Sequence, residues 1–160
     1  MSEIPRVYRL KPRAAFVLFA VLDVVCVGLG MGVPVFNILF GFVVGWYLVK
    51  WVSIGTREAK EVLQRLLVYA CITASVTFLA MVLLWGRCVT MLYDPQADLA
   101  NFGIPQILFE PRMSFIGWLF LMIAISPFLQ LLTTVFAGTL TLVSLHRKEN
   151  TSGRGVGATA

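Results

Sequence analysis

From residue 14 to residue 49 this chain carries a single charge, Asp23. As one helix those 36 residues would be about 54 Å long at 1.5 Å per residue. The hydrocarbon core of a bilayer is only about 30 Å thick and is crossed by about 20 apolar residues. The run must therefore turn back on itself. Gly28, Gly30, Gly32 and Pro34 fall within seven residues of one another, and both residue types punctuate helices. The sequence thus predicts a first span over about 14–30 and a second over about 35–51.

Composition supports lipid as the main solvent. Hydrophobic residues make up 59% of the chain and charged ones only 13%, whereas soluble domains carry about 25% charged residues. A third span is expected over about 66–85. Its helix should begin earlier, capped at Thr56, because Arg57/Glu61 and Glu61/Arg65 form favourable i,i+4 pairs. The uncharged run 113–145 holds the fourth. Its 33 residues would reach about 50 Å as a straight helix, and Pro127 interrupts them. The expectation is one long, tilted, proline-kinked helix, with a hairpin turning at Ser126 and Pro127 as its rival.

Charge separates these alternatives. With four spans and both termini in the cytoplasm, eleven Lys and Arg side chains lie inside and only Arg87 and Arg112 lie outside. A single span over 24–49 would change the split to 7 against 6, and a hairpin in 113–145 would make it 8 against 5. The positive-inside rule favours four spans. The fold expected is all-α: a polytopic integral membrane protein of the cell membrane. A basic segment 1–13 precedes the transmembrane domain 14–146, an external loop covers 86–112, and a disordered cytoplasmic tail covers 147–160. A cleaved leader is disfavoured, since Asp23 interrupts the first apolar run and three more spans follow. The net charge of +5 gathers at span ends rather than in a patch with interleaved aromatics, which argues against nucleic acid.

A charged aspartate at mid-bilayer is penalised by about 2.5–3.5 kcal/mol on insertion scales, so Asp23 must face protein or water, or carry a proton. Ala20, Cys26 and Gly30 share its face, and small residues allow a neighbouring helix to approach. Gly41 and Gly45 form a Gly-x-x-x-Gly pair with the same meaning on the second span. Counted from the inner boundary, Thr73, Thr77, Thr133 and Thr134 stand at the depth of Asp23. Asn37 and Gln130 are expected in a second layer, about a turn further out. These residues form the candidate intramembrane polar site.

Catalysis, a metal centre and a cofactor all lack a basis in the sequence. His146 is the only histidine, and Cys26, Cys71 and Cys88 make no Cys-x-x-Cys pair, so neither a nucleophile–base pair nor a ligand cluster can be assembled. The expected partners are the lipid bilayer and a membrane protein, whether another subunit or a second copy. Two functions remain open at this stage. One is a structural or accessory subunit of a membrane complex. The other is a homo-oligomeric element that moves protons or a small cation past Asp23.

Overall fold

The computed structural model describes residues 11–29, 33–56, 58–104 and 108–156, with side chains as far as Arg147. The protein is an all-α polytopic membrane protein with four helices long and apolar enough to cross a bilayer. Helix α1 spans Pro12–Leu29, α2 spans Val35–Val52 and α3 spans Ala59–Trp85. Helix α4, Pro111–Phe120, continues through a π turn, Leu121–Ile125, into α5, Ser126–Val156. No strand occurs among the described residues.

Each boundary has a local cause. Pro34 stands at the N-cap of α2, where a missing N–H leaves no helical bond unmade. Helix α3 begins at Ala59 behind an extended Glu58, two residues later than a cap at Thr56 would give. The Thr56 hydroxyl accepts from the Glu58 N–H at 3.4 Å and donates to Glu61 Oε2 at 2.7 Å. Arg65 pairs with Glu61 at 2.5 Å as the spacing predicts, whereas Arg57 lies outside the described residues. The loop also departs from expectation at its start, because a 3-10 helix, Gly86–Tyr93, carries α3 onward.

The fourth span does not turn back at Pro127. The Ser126 N–H donates to the Leu121 carbonyl, a step of five residues instead of four. Proline offers no N–H to Ile123 and its ring crowds that carbonyl, so one widened turn lets the chain pass it as a helix. At its far end α5 runs on to Val156, through much of the stretch expected to be disordered; residues 157–160 lie outside the described residues, as do residues 1–10.

Three layers stack along the bundle. Towards the loop, Val27, Met81, Phe115, Trp118, Leu119 and Met122 form an apolar cluster. Loop residue Phe102 joins it, its ring 5.0 Å from that of Phe115. The loop is pinned where the Leu108 N–H and carbonyl both bond the Ser114 hydroxyl, at 2.9 and 3.0 Å. Towards the termini, Val44, Leu48, Val49, Val52, Val62 and Leu66 form the second cluster. The buried polar side chains Asp23, Asn37, Thr73, Thr77, Ser126, Gln130 and Thr134 lie between the two.

The α2 and α5 backbones approach closely across that middle layer. A Cβ built on Gly41 would lie 2.6 Å from the Gln130 carbonyl oxygen, and one on Gly45 would collide with the Thr134 carbonyl. The Gly-x-x-x-Gly pair therefore packs on α5. Ala20 is half-buried and Gly30 lies outside the described residues, so close packing around Asp23 itself rests on Val27, which is buried one turn along.

Candidate functional site

Asp23 is 1% exposed. Its place on α1 turns it inward, since Asp23 and Val27 are the fully buried residues of α1, four residues apart on one helical face. Two other helices supply its partners. From α3, the Thr77 hydroxyl donates to Asp23 Oδ2 at 2.9 Å. From α5, Gln130 Nε2 donates to Asp23 Oδ1, also at 2.9 Å. Each carboxylate oxygen thus faces a donor, and one side chain ties α1 to both α3 and α5.

Asn37 is buried on α2, and its Nδ2 donates to Ser126 Oγ at 3.2 Å. Ser126 and Gln130 are four residues apart on α5, hence neighbours on one face. The other oxygen of each amide has no protein partner: Asn37 Oδ1 and Gln130 Oε1 are both buried and unbonded. An acceptor left in that state costs about 1–3 kcal/mol.

The remaining residues expected at this site bond backbone carbonyls. The Thr73 hydroxyl donates to the Ala70 carbonyl at 2.9 Å, while its own carbonyl lies 3.2 Å from the Thr77 hydroxyl. Thr134 donates to the Gln130 carbonyl at 2.8 Å. The Thr133 hydroxyl lies 2.8 Å from the Ile38 carbonyl of α2 and 2.9 Å from the Gln130 carbonyl, so it ties α2 to α5. Of the residues expected level with Asp23, only Thr77 bonds it. Gln130, expected a turn further out, does so too, because its long side chain reaches back along the helix axis.

Ser126 completes the site; helical spacing puts it on one polar stripe with Gln130, Thr133, Thr141 and Ser144, one turn before Gln130. Ser114 and Gly138 carry no comparable signal. Gly138 matters only because Leu66 of α3 lies against its Cα.

Chemically, this layer can hold and bridge. His146 sets Nδ1 3.1 Å from the Leu142 carbonyl, sixteen residues beyond Gln130, or about 24 Å along a helix. It takes no part. A separate cleft of about 310 Å³ opens between α1, α2 and α3, lined by residues including Phe16, Phe19, Leu22, Phe40, Trp51 and Tyr69. Phe19 stacks on Phe40 at 5.8 Å and Trp51 meets Tyr69 edge-on at 5.6 Å. Such a wall offers dispersion contacts to hydrocarbon and little hydrogen bonding. No protein-family model, curated protein or solved structure matches this chain.

Proposed function

We propose that the protein is a structural or accessory subunit of a membrane complex, seated in the cell membrane with both termini in the cytoplasm. The observation that carries this reading is the engagement of Asp23. Both of its carboxylate oxygens accept bonds from other helices, so the most costly group in the bilayer interior serves to hold α1 in place. What α1 leaves outward is apolar: Val17, Val21, Val24 and Val25 are 61%, 55%, 54% and 48% exposed. A helix anchored at Asp23, Val27 and Phe19, with an apolar outer face, suits a partner helix as well as it suits lipid.

Gentle solubilisation tests this directly. The accessory reading expects co-elution with a different membrane protein in fixed ratio, and elution as a lone self-oligomer would dispose of it. The orientation rests on the split of eleven inner against two outer basic residues. Reporters active on one side of the membrane, fused after Ala160 and inserted near Asp94, should give opposite readings. The same reading from both would break the orientation.

A second reading, proton or small-cation movement by a self-oligomer, is favoured by the two unbonded amide oxygens in the Asp23 layer. It expects Asp23→Asn to fold and to abolish flux in reconstituted vesicles. Flux at the wild-type level in that variant would remove it.

A further inference from the structure

The apolar cleft between α1, α2 and α3 has a definite length and width. On α1 its wall runs from Pro12 to Leu22, ten residues on, or about 15 Å along the helix. Half of a hydrocarbon core about 30 Å thick is the same length. The cleft stops at the polar layer, because Leu22 precedes Asp23 and the buried Thr73 belongs to both. It therefore spans one leaflet. Over that length a volume of about 310 Å³ gives a cross-section of about 20 Å², against about 80 Å² for a helix about 10 Å wide. A hydrocarbon chain fits such a slot, and a helix of a partner or of a second copy does not.

The end of the cleft nearest the termini is amphipathic and basic. Trp46, Tyr47 and Trp51, from the last turns of α2, line it, as rings with one apolar and one polar edge do at headgroup level. Lys50 Nζ lies 4.1 Å from the centre of the Trp46 ring. Lys11 and Arg13, both exposed, flank Pro12 at the rim. Neither α1 ahead of Asp23 nor α2 carries an acidic residue. Glu61, the acid of α3, is engaged by Thr56 and Arg65.

We infer that this cleft is a binding site for one phospholipid with an anionic headgroup, taken from the leaflet on the side of the termini. One acyl chain lies in the slot along Phe16, Phe19 and Phe40, and Lys50, Lys11 and Arg13 meet the phosphate. Lipid tails are as apolar as the wall, so burying the chain adds little selectivity. The chain sets the position, and the basic rim selects the headgroup. Val17, Val21, Val24 and Val25 form no part of the wall. The lipid and a partner helix thus occupy different sides of α1, and lipid binding holds whether the protein assembles with a partner or with itself.

The protein's own tryptophans supply the test. Trp46 and Trp51 line the cleft, whereas Trp85 and Trp118 pack in the apolar cluster at the other end of the bundle. The full chain is reconstituted into phosphatidylcholine vesicles containing a minor fraction of phosphatidylglycerol, with brominated acyl chains on one lipid or the other as a short-range quencher. The quenching curves should give phosphatidylglycerol a relative binding constant at least about tenfold above phosphatidylcholine. Replacing both Trp46→Phe and Trp51→Phe should abolish that excess quenching. Lys50→Gln should cut the preference about fivefold, the worth of one basic residue near an anionic headgroup. Ala15→Phe, which puts a ring into the slot and leaves every charge in place, should remove the preference without unfolding the bundle. Equal constants for the two lipids in the wild type overturn the inference. So does a preference that survives in folded Ala15→Phe, since the rim alone would then be drawing the headgroup. Absence of quenching at Trp46 and Trp51 by either lipid overturns it too, by showing the cleft covered by residues 1–10 or by a second copy.

Discussion

Helices α2 and α1 both pack in the same bundle, but they are held by opposite means. Helix α2 buries Asn37, Gly41, Val44, Gly45, Leu48, Val49 and Val52 along its length and meets α5 through backbone atoms at its two glycines. Helix α1 buries only Asp23 and Val27. Lipid tails are as apolar as leucine, so helices in a bilayer gain little by hiding hydrocarbon from one another. Close packing over many small contacts is one remedy, and a polar bond in a dry setting is the other. The α2–α5 seam uses the first, and α1 relies on the second.

The largest expected effect follows from breaking the seam. Gly45→Leu must put a side chain where the Thr134 carbonyl and Gly138 N already stand. Backbone on both sides cannot yield as a flexible side chain would. We expect a loss of about 3 kcal/mol or failure to assemble, read by thermal unfolding in detergent. Gly28→Leu supplies the contrast, because a Cβ there meets nothing within 4 Å, and it should leave the melting temperature unchanged. Equal behaviour of the two variants would mean that the seam is looser than these contacts require.

The comparison also explains what the sequence made legible. Glycines four apart in an apolar run have few uses other than close approach, so Gly41 and Gly45 could be read as a packing face before their partner was known. Asp23 was legible for the same reason, as a residue too costly to keep facing lipid. Its partners were harder to assign. Depth along a helix axis locates a Cα, whereas a Gln side chain spans a turn and a Thr hydroxyl can bond its own helix instead. Gln130 therefore reaches Asp23 from another level, while Thr73 and Thr134, correctly placed in the layer, bond carbonyls of their own helices. The π turn was not legible, because proline predicts a disturbed turn without specifying its form. The unbonded oxygens of Asn37 and Gln130 belong to rotamers, and spacing carries no information about them.

A smaller effect is expected where α1 is attached. Asp23→Leu removes the acceptor for Gln130 Nε2 and for the Thr77 hydroxyl. Thr77 has an alternative in the Thr73 carbonyl at 3.2 Å, so one buried donor is left without a partner, at a cost of about 2 kcal/mol. The loss should be local. Cys26, half-buried on α1, should react faster with a membrane-permeant thiol reagent, while α2 and α5 stay packed. Asp23→Asn keeps one acceptor oxygen and should fall between Leu and the wild type. Should Cys26 remain as protected in Asp23→Leu as in the wild type, α1 is held by apolar contact and the contrast between the two helices disappears.

The smallest effect belongs to the start of α3, where a polar contact lies outside the hydrocarbon. The Thr56 hydroxyl and the Arg65 guanidinium, in that order of influence, hold the Glu61 carboxyl below its ordinary range. A carboxyl lowered on folding stabilises the folded state above its unfolded value, and that contribution fades as the pH falls through its folded value. Water screens the pair, since Arg65 and Glu61 are 53% and 39% exposed, so the contribution is small. Glu61→Gln should therefore leave the melting temperature within error at neutral pH and flatten only the acid limb of its pH dependence. Asp23→Leu should lower the whole curve instead. A Glu61→Gln loss as large as that of Asp23→Leu would show that exposure does not separate the two carboxylates, and that the α3 entry is as firmly anchored as the bundle interior.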